Sequence, residues 1–258
     1  MMKSKRFNLA FLSVILTLVL GYMVVTDPPE AIELDPDEID EFVLDPADFD
    51  PDDENAQILR HEPFGRKDEA VYERGEKEDG TPIIIATSDN SISSLTTPLK
   101  ADANVFQFLE WEWKIDSVLP SGDMFDKDGD DFAARIYVTF DYDPSNLGFR
   151  DRMRYRVYRA FTSFEIPLRS LNYVWANKAE VGTIAENPFS DWVRYIAIQS
   201  GNDEAGVWKI EKRNILEDYR EVFGEEPPAI SGITIMTDSD NTEESTRAYF
   251  GKITLSKN

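Results

Sequence analysis

The sequence predicts a mainly β protein, a two-sheet β-sandwich of jelly-roll type with two short-to-medium helices, preceded by an N-terminal signal or transmembrane helix. Three observations predict it. Short apolar runs, several alternating with period two and bounded by turn residues, recur at 82–86, 105–115, 132–140, 170–175, 192–198, 230–236 and 247–255. Their irregular spacing, with no helix between each pair and no glycine-rich loop after any strand, suits two packed sheets rather than a nucleotide-binding α/β sheet. At the N-terminus, Lys3, Lys5 and Arg6 precede nineteen uncharged residues, 7–25.

That first element has a basic flank followed by an apolar run, the layout of an export signal. Nineteen helical residues span about 28 Å, close to the hydrocarbon thickness of a bilayer. The exit, Gly21 to Pro29, offers no small-x-small cleavage site, so residues 1–26 are expected to stay as an anchor on the inner membrane, with a cleaved signal as the alternative. The rest of the chain is then expected on the periplasmic side, or free of the membrane if the signal is removed.

From Asp27 to Glu54 every charge is acidic. Setting aside these fourteen carboxylates and the three basic residues before them takes the net charge from -23 to -12 for residues 55–258. Repulsion among them and four Asp-Pro steps predict an extended, mobile tether over 27–57, ahead of a sandwich domain over 58–258. A ten-residue echo relates Leu34–Asp40 to Leu44–Asp50, and in its first copy Asp35, Pro36 and Glu38 form a credible cap of a short helix.

Within the domain, alternation in 106–115 puts Trp111 and Trp113 on one face and Glu110 and Glu112 on the other, an aromatic core face backed by solvated carboxylates. Asp126, Asp128 and Asp130 alternate in an acidic loop, the arrangement that turns several oxygens onto a hard cation. Ca2+ is the one cofactor this chemistry puts forward. The loop departs from an EF-hand, because Asp131 stands where the turn glycine belongs and Tyr137 where the bidentate glutamate belongs. Asp238, Asp240 and Asn241 make a second such cluster. Arg135 sits inside an apolar strand, where an inward charge needs a carboxylate such as Asp130, Asp238 or Asp240 to offset its desolvation.

Phe149, Met153, Val157 and Phe161 recur every four residues and predict a helix over 147–163 with that stripe inward; five arginines, 150, 152, 154, 156 and 159, flank it. A second helix is expected over 214–223, with Ile215, Tyr219 and Phe223 inward, Gly224 stopping it and Pro227-Pro228 beyond. Trp175, Trp192 and Trp208 fall at strand ends, where an exposed indole would stack on a sugar ring.

Composition excludes several chemistries. An acidic chain with 50 Asp and Glu against 27 Lys and Arg is a poor partner for nucleic acid. Without cysteine there are no disulfides or thiolate sites, and one histidine, His61, rules out histidine-rich zinc centres.

Trp111 to Asp116, Gly129 to Val138, Leu171 to Trp175, Trp208 to Asn214, Asp218 to Arg220 and Met236 to Thr242 together resemble a bacterial family of uncharacterised exported proteins, domain of unknown function three-zero-four-seven. The resemblance covers about residues 58–257. It implies an exported β-sandwich and brings no activity with it. The residues favour a non-catalytic binder of carbohydrate or of a cell-envelope ligand, with Arg135, Trp175, Arg213, Asp238, Asp240 and Asn241 as ligand contacts and no catalytic residue. A carboxylate-dependent polysaccharide hydrolase or lyase and a structural interaction module are the alternatives. The oligomeric state has no signature in the sequence.

Overall fold

The computed structural model describes residues 30–53, 56–65, 67–161 and 168–257. The apolar run 7–25 lies outside them; among the described residues no helix is long and apolar enough to cross a membrane.

Among the described residues fourteen strands form two sheets. In chain order they are β1 (Ile32–Glu33), β2 (Glu41–Leu44), β3 (Arg60–Pro63), β4 (Val71–Glu76), β5 (Pro82–Asp89), β6 (Ile92–Ala101) and β7 (Phe108–Ile115). There follow β8 (Arg135–Phe140), α1 (Phe149–Phe161), β9 (Ser170–Ala176), β10 (Ile184–Asn187), β11 (Ser190–Ser200), β12 (Lys209–Asn214), α2 (Ile215–Phe223), β13 (Ile230–Asp238) and β14 (Ser245–Ser256). The larger sheet runs β1-β6-β13-β8-β9-β11-β10, with β3 also on β6; the smaller runs β12-β7-β14-β5-β4, with β2 also on β14. Pairing is antiparallel except for β1 on β6 and β9 on β11.

The core lies between the sheets because each inner strand offers every second side chain to it. Strand β7 supplies Leu109, Trp111, Trp113 and Ile115, all fully buried, and β14 supplies Ala248, Phe250, Ile253 and Leu255. From the other sheet Tyr173 stacks on Trp111 at 5.2 Å between ring centres, and Trp175 meets Trp113 at 5.8 Å.

The larger sheet is buried on its outer face as well. Val174, Val193, Tyr195 and Ala197 pack there under Met124 and Phe132, which come from the long β7–β8 connection. Central strands such as β9 are consequently buried along their whole length, and Arg135, on the outer face of β8, is enclosed rather than solvated.

Two expectations need correction. The acidic segment is extended but not a mobile tether from residue 30 onward: β1 pairs with β6, β2 pairs with β14, and Leu34, Leu44 and Phe49 are buried in the main core. Its few apolar side chains dock it, while Glu33, Asp40 and Asp45 meet Lys100, Lys257 and Lys252. The two echoed Asp-Pro steps are capped turns, Asp35 accepting from the Asp37 N–H and Asp45 from the Ala47 N–H. The stripe of α1 does not face the core: Phe149, Met153 and Val157 are 79%, 45% and 54% exposed.

The second helix follows its sequence signals. Asn214 caps it by accepting from the Glu217 N–H, and Gly224 ends it in the left-handed region at φ 68°, a conformation glycine adopts without steric cost.

Candidate functional site

The predicted site residues fall into separate places. Arg135 opens β8 and Asp238 closes β13, and the antiparallel register of these two strands brings them together. Arg135 donates from Nη2 to Asp238 Oδ2, while Asp238 Oδ1 accepts the Phe132 N–H at 3.2 Å. Both side chains are buried. Burial opposes the Arg135 charge, but the Asp238 carboxylate, with Tyr137, Tyr195 and Asp130, outweighs it and holds the guanidinium above its ordinary pKa. Rings of Phe132 and Tyr137 cover the guanidinium at 5.2 and 5.6 Å.

Around this pair the acidic loops turn inward. Asp130 accepts from the Tyr195 hydroxyl and from Asn187 Nδ2 at 3.0 Å, and burial pushes its carboxyl up to about 6. Asp131, to which the sequence reading gave no role, holds the turn after β13: Asn241 N–H, Thr242 N–H and Thr242 Oγ1 all donate to its Oδ2, and Asn241 Nδ2 donates to its Oδ1. Asp240 pairs through Oδ2 with Lys67 at 3.1 Å.

Oxygens of Asp131, Asp238 and Asp240 lie within 4.8 Å of one another, the group that comes nearest to a cation cage among the described residues. Asp131 already accepts four protein N–H and O–H groups and Asp238 two, and the Arg135 charge stands beside them. The network braces the β7–β8 and β13–β14 loops against the larger sheet, and among the described residues it leaves Asp240 Oδ1 and Arg135 Nε buried without a hydrogen-bond partner.

The calcium set expected at Asp126, Asp128 and Asp130 does not assemble. Residues Lys127–Gly129 form a 3-10 turn capped by Asp126, which accepts the Asp128 N–H at 3.2 Å. With three residues per turn, alternate carboxylates diverge instead of sharing a face. Asp126 and Asp128 stay exposed while Asp130 points inside.

Trp175 is fully buried and donates its indole N–H to the Gly201 carbonyl at 3.0 Å, so it offers no stacking face; a strand end here is not a surface, because loops cover it. Arg213 spends its guanidinium on Asp218, with bonds of 3.0 and 2.5 Å, and Tyr173 donates to the same carboxylate at 2.8 Å. This fork fixes the first turn of α2 against β9 and β12. Trp208 is half-buried beneath Lys77 and Lys114.

A concave site lies elsewhere, in a cleft of about 250 Å³ between the start of α1, the start of β11 and the end of α2. Its aromatic wall is Tyr142 and Phe223, with Arg169 lying over both rings at 4.3 and 5.0 Å and Arg194 over Phe223 at 5.4 Å. Each arginine is oriented by a glutamate: Arg169 donates to Glu225 at 2.7 Å, and Arg194 pairs with Glu186 at 3.0 Å. The buried ring of Trp192 closes the floor, edge-on to Tyr155.

Two carboxylates of the cleft, Asp151 and Asp191, share one cation. Arg154 bonds Asp191 directly and lies 4.0 Å from Asp151. The arrangement therefore offers planar guanidinium donors and carboxylate acceptors in one concavity. Sequence reasoning marked Trp192 and read Phe223 only as an inward residue of the second helix, but passed over Tyr142, Arg169 and Asp191. Their common signal is weak: aromatic and charged residues at element ends, brought together only by the packing of two helices onto one edge of a sheet.

No curated protein matches this chain. Among solved structures it is similar to the glycoside hydrolase domain of Endo-D from Streptococcus pneumoniae R6, at 12% identity and a TM-score of 0.33, over 77% of this chain and 22% of that one. Residues 58–254 match the family model described as protein of unknown function (DUF3047), and the chain belongs to that family.

Proposed function

We propose that this chain is an exported, membrane-tethered binding module, and that the cleft between α1 and α2 takes a carbohydrate or another polyhydroxylated component of the cell envelope. The observation that carries the reading is the cleft's composition: Arg169, Arg194, Asp151 and Asp191 line it as planar hydrogen-bonding groups, with Arg169 held over Tyr142 and Phe223. Export and tethering rest on the basic flank and the apolar run 7–25.

Thermal unfolding with a panel of envelope and plant-type glycans tests this. A ligand that binds only the native state raises the midpoint by mass action, by about 2.7 kcal/mol of stability at a hundredfold excess over Kd. The shift is expected in the natural chain and expected to vanish in Tyr142→Ala combined with Arg169→Ala. A panel without any shift, or a shift that survives the double substitution, would overturn the reading.

A further inference from the structure

Helix α1 presents two faces of opposite character. At about 100° per residue, Asp151, Tyr155 and Arg152 share the side turned to the domain. Tyr155 packs on Trp192, and Arg152 donates to the carbonyls of Ser145 and Leu147. On the other side Phe149, Met153 and Val157 fall within an arc of about 80°, and Arg156 and Arg150 stand about 20° beyond its two edges. All five are exposed, and neither Arg150 nor Arg156 has an ion-pair partner among the described residues.

We propose that this arc of α1 lies on an anionic phospholipid surface, with Phe149, Met153 and Val157 in the acyl boundary and Arg150 and Arg156 on the lipid phosphates. An apolar stripe edged by guanidinium groups is complementary to such a surface, where planar donors match phosphate and the stripe leaves water. In a chain of net charge -23 the placement of these arginines is distinctive, because acidic residues outnumber basic ones nearly two to one elsewhere and repel the same surface.

The topology puts α1 where a bilayer would be. Glu33 of β1 pairs with Lys100 beside Ala101, Ala101 pairs with Ile230, and Ile230 pairs with Phe140, whose strand leads within eight residues into α1. The N-terminal strand and α1 therefore share one end of the larger sheet. Since the chain is docked from Ile32 onward, only residues 26–31 separate the run 7–25 from the domain, a reach of at most about 25 Å. A contact too weak to hold a free protein is effective at the local concentration so short a link imposes. This tethering step rests on the membrane reading above; the chemistry of the arc does not.

The absence of cysteine makes the test direct, because Met153→Cys gives one labelling position in the full chain. The labelled chain is placed in nanodiscs of phosphatidylglycerol or of phosphatidylcholine, with brominated acyl chains as quenchers. At position 153 the label is expected to blue-shift and to be quenched at least twofold more in the anionic discs. Val181→Cys, exposed beyond the far end of β9, is expected to show neither effect. Adding Arg150→Glu and Arg156→Glu to Met153→Cys is expected to abolish the quenching with no change in thermal midpoint. Equal quenching at 153 and 181, or a label at 153 already shielded in lipid-free detergent because a second copy or another segment of the chain covers it, would overturn the proposal. Retention of the chain in zwitterionic discs reports separately on the run 7–25, so failure of the anchor and failure of the helix contact are distinguishable.

Discussion

Arg135 and Asp238 are the residues on which the outer core turns. Each is a charge taken out of water, tolerable because the other stands against it, so removing one leaves the other buried and unpaired. Arg135→Leu is expected to lower the unfolding free energy by about 3–5 kcal/mol in urea titration, and Arg135→Leu with Asp238→Leu to lose less than the sum of the single changes. Asp130 gives the same region a pH signature. Its carboxyl is raised to about 6 when folded and titrates near 3.8 when free, so the folded state holds the proton more tightly. The stability it contributes is complete below about pH 4 and is lost as pH rises through about 6. The advantage of the natural chain over Asp130→Asn is thus expected to shrink between pH 4 and 7, and an advantage that grows over that range would contradict the assignment. That an inward Arg135 would need an acid was legible in the sequence, with Asp130, Asp238 and Asp240 as the choices; that it turns inward and meets Asp238 is set by the strand register and the loop above it. The acidic loop does turn, as expected, but its 3-10 turn at Lys127–Gly129 leaves Asp126 and Asp128 exposed and sends Asp130 inside, a divergence that residue spacing alone does not show.

At the scale of elements, the readable ones announced themselves by period and punctuation. Each of the seven apolar runs contains a strand, although 105–107 and 132–134 lie outside theirs, and α2 runs from its Asn214 cap to its Gly224 stop. Asn214→Ala is expected to cost about 1 kcal/mol, seen as a lower urea midpoint at unchanged slope. Seven other strands went unread: β1, β2, β3, β4, β6, β10 and β12. Several lie at or near sheet edges and are short or polar, and β6 is rich in Ser and Thr, whose hydroxyls find partners only in the assembled sheet, as Thr96 does with Thr234. Helix α1 shows the opposite error. Its four-residue period correctly predicted a helix but not its orientation, since periodicity fixes which residues share a face and leaves open what that face meets. Trp175 belongs with these lessons, because placement at a strand end said nothing about the loops above it. Trp175→Ala is expected to cost about 3–5 kcal/mol of stability. Trp175→Phe, which keeps most of the packing, is expected to leave glycan-induced shifts of the midpoint intact, whereas a true stacking residue would take them away.

For the whole molecule, the distribution of charge is less telling than the few apolar residues placed within it. The acidic N-terminal stretch has the composition of a solvated spacer, and charge density alone predicts that it stands off from the domain. Leu34, Leu44 and Phe49 reverse that outcome, each buried in the core shared by both sheets. Full burial of such side chains is worth about 1.5–3 kcal/mol apiece as an upper estimate, against a fraction of that from the exposed pairs with Lys100, Lys252 and Lys257. The stretch also completes edges of both sheets, β1 on β6 and β2 on β14. A chain beginning at residue 56 would therefore expose core surface and unpaired strand groups that a chain beginning at residue 30 protects. The shorter chain is expected to be less stable by several kcal/mol, a large part of the 5–15 kcal/mol typical of a domain. Urea unfolding of the two truncations side by side measures this directly. Coincident midpoints would mean that the stretch only rests on the domain, and that the family match beginning at residue 58 marks the true limit of the folding unit.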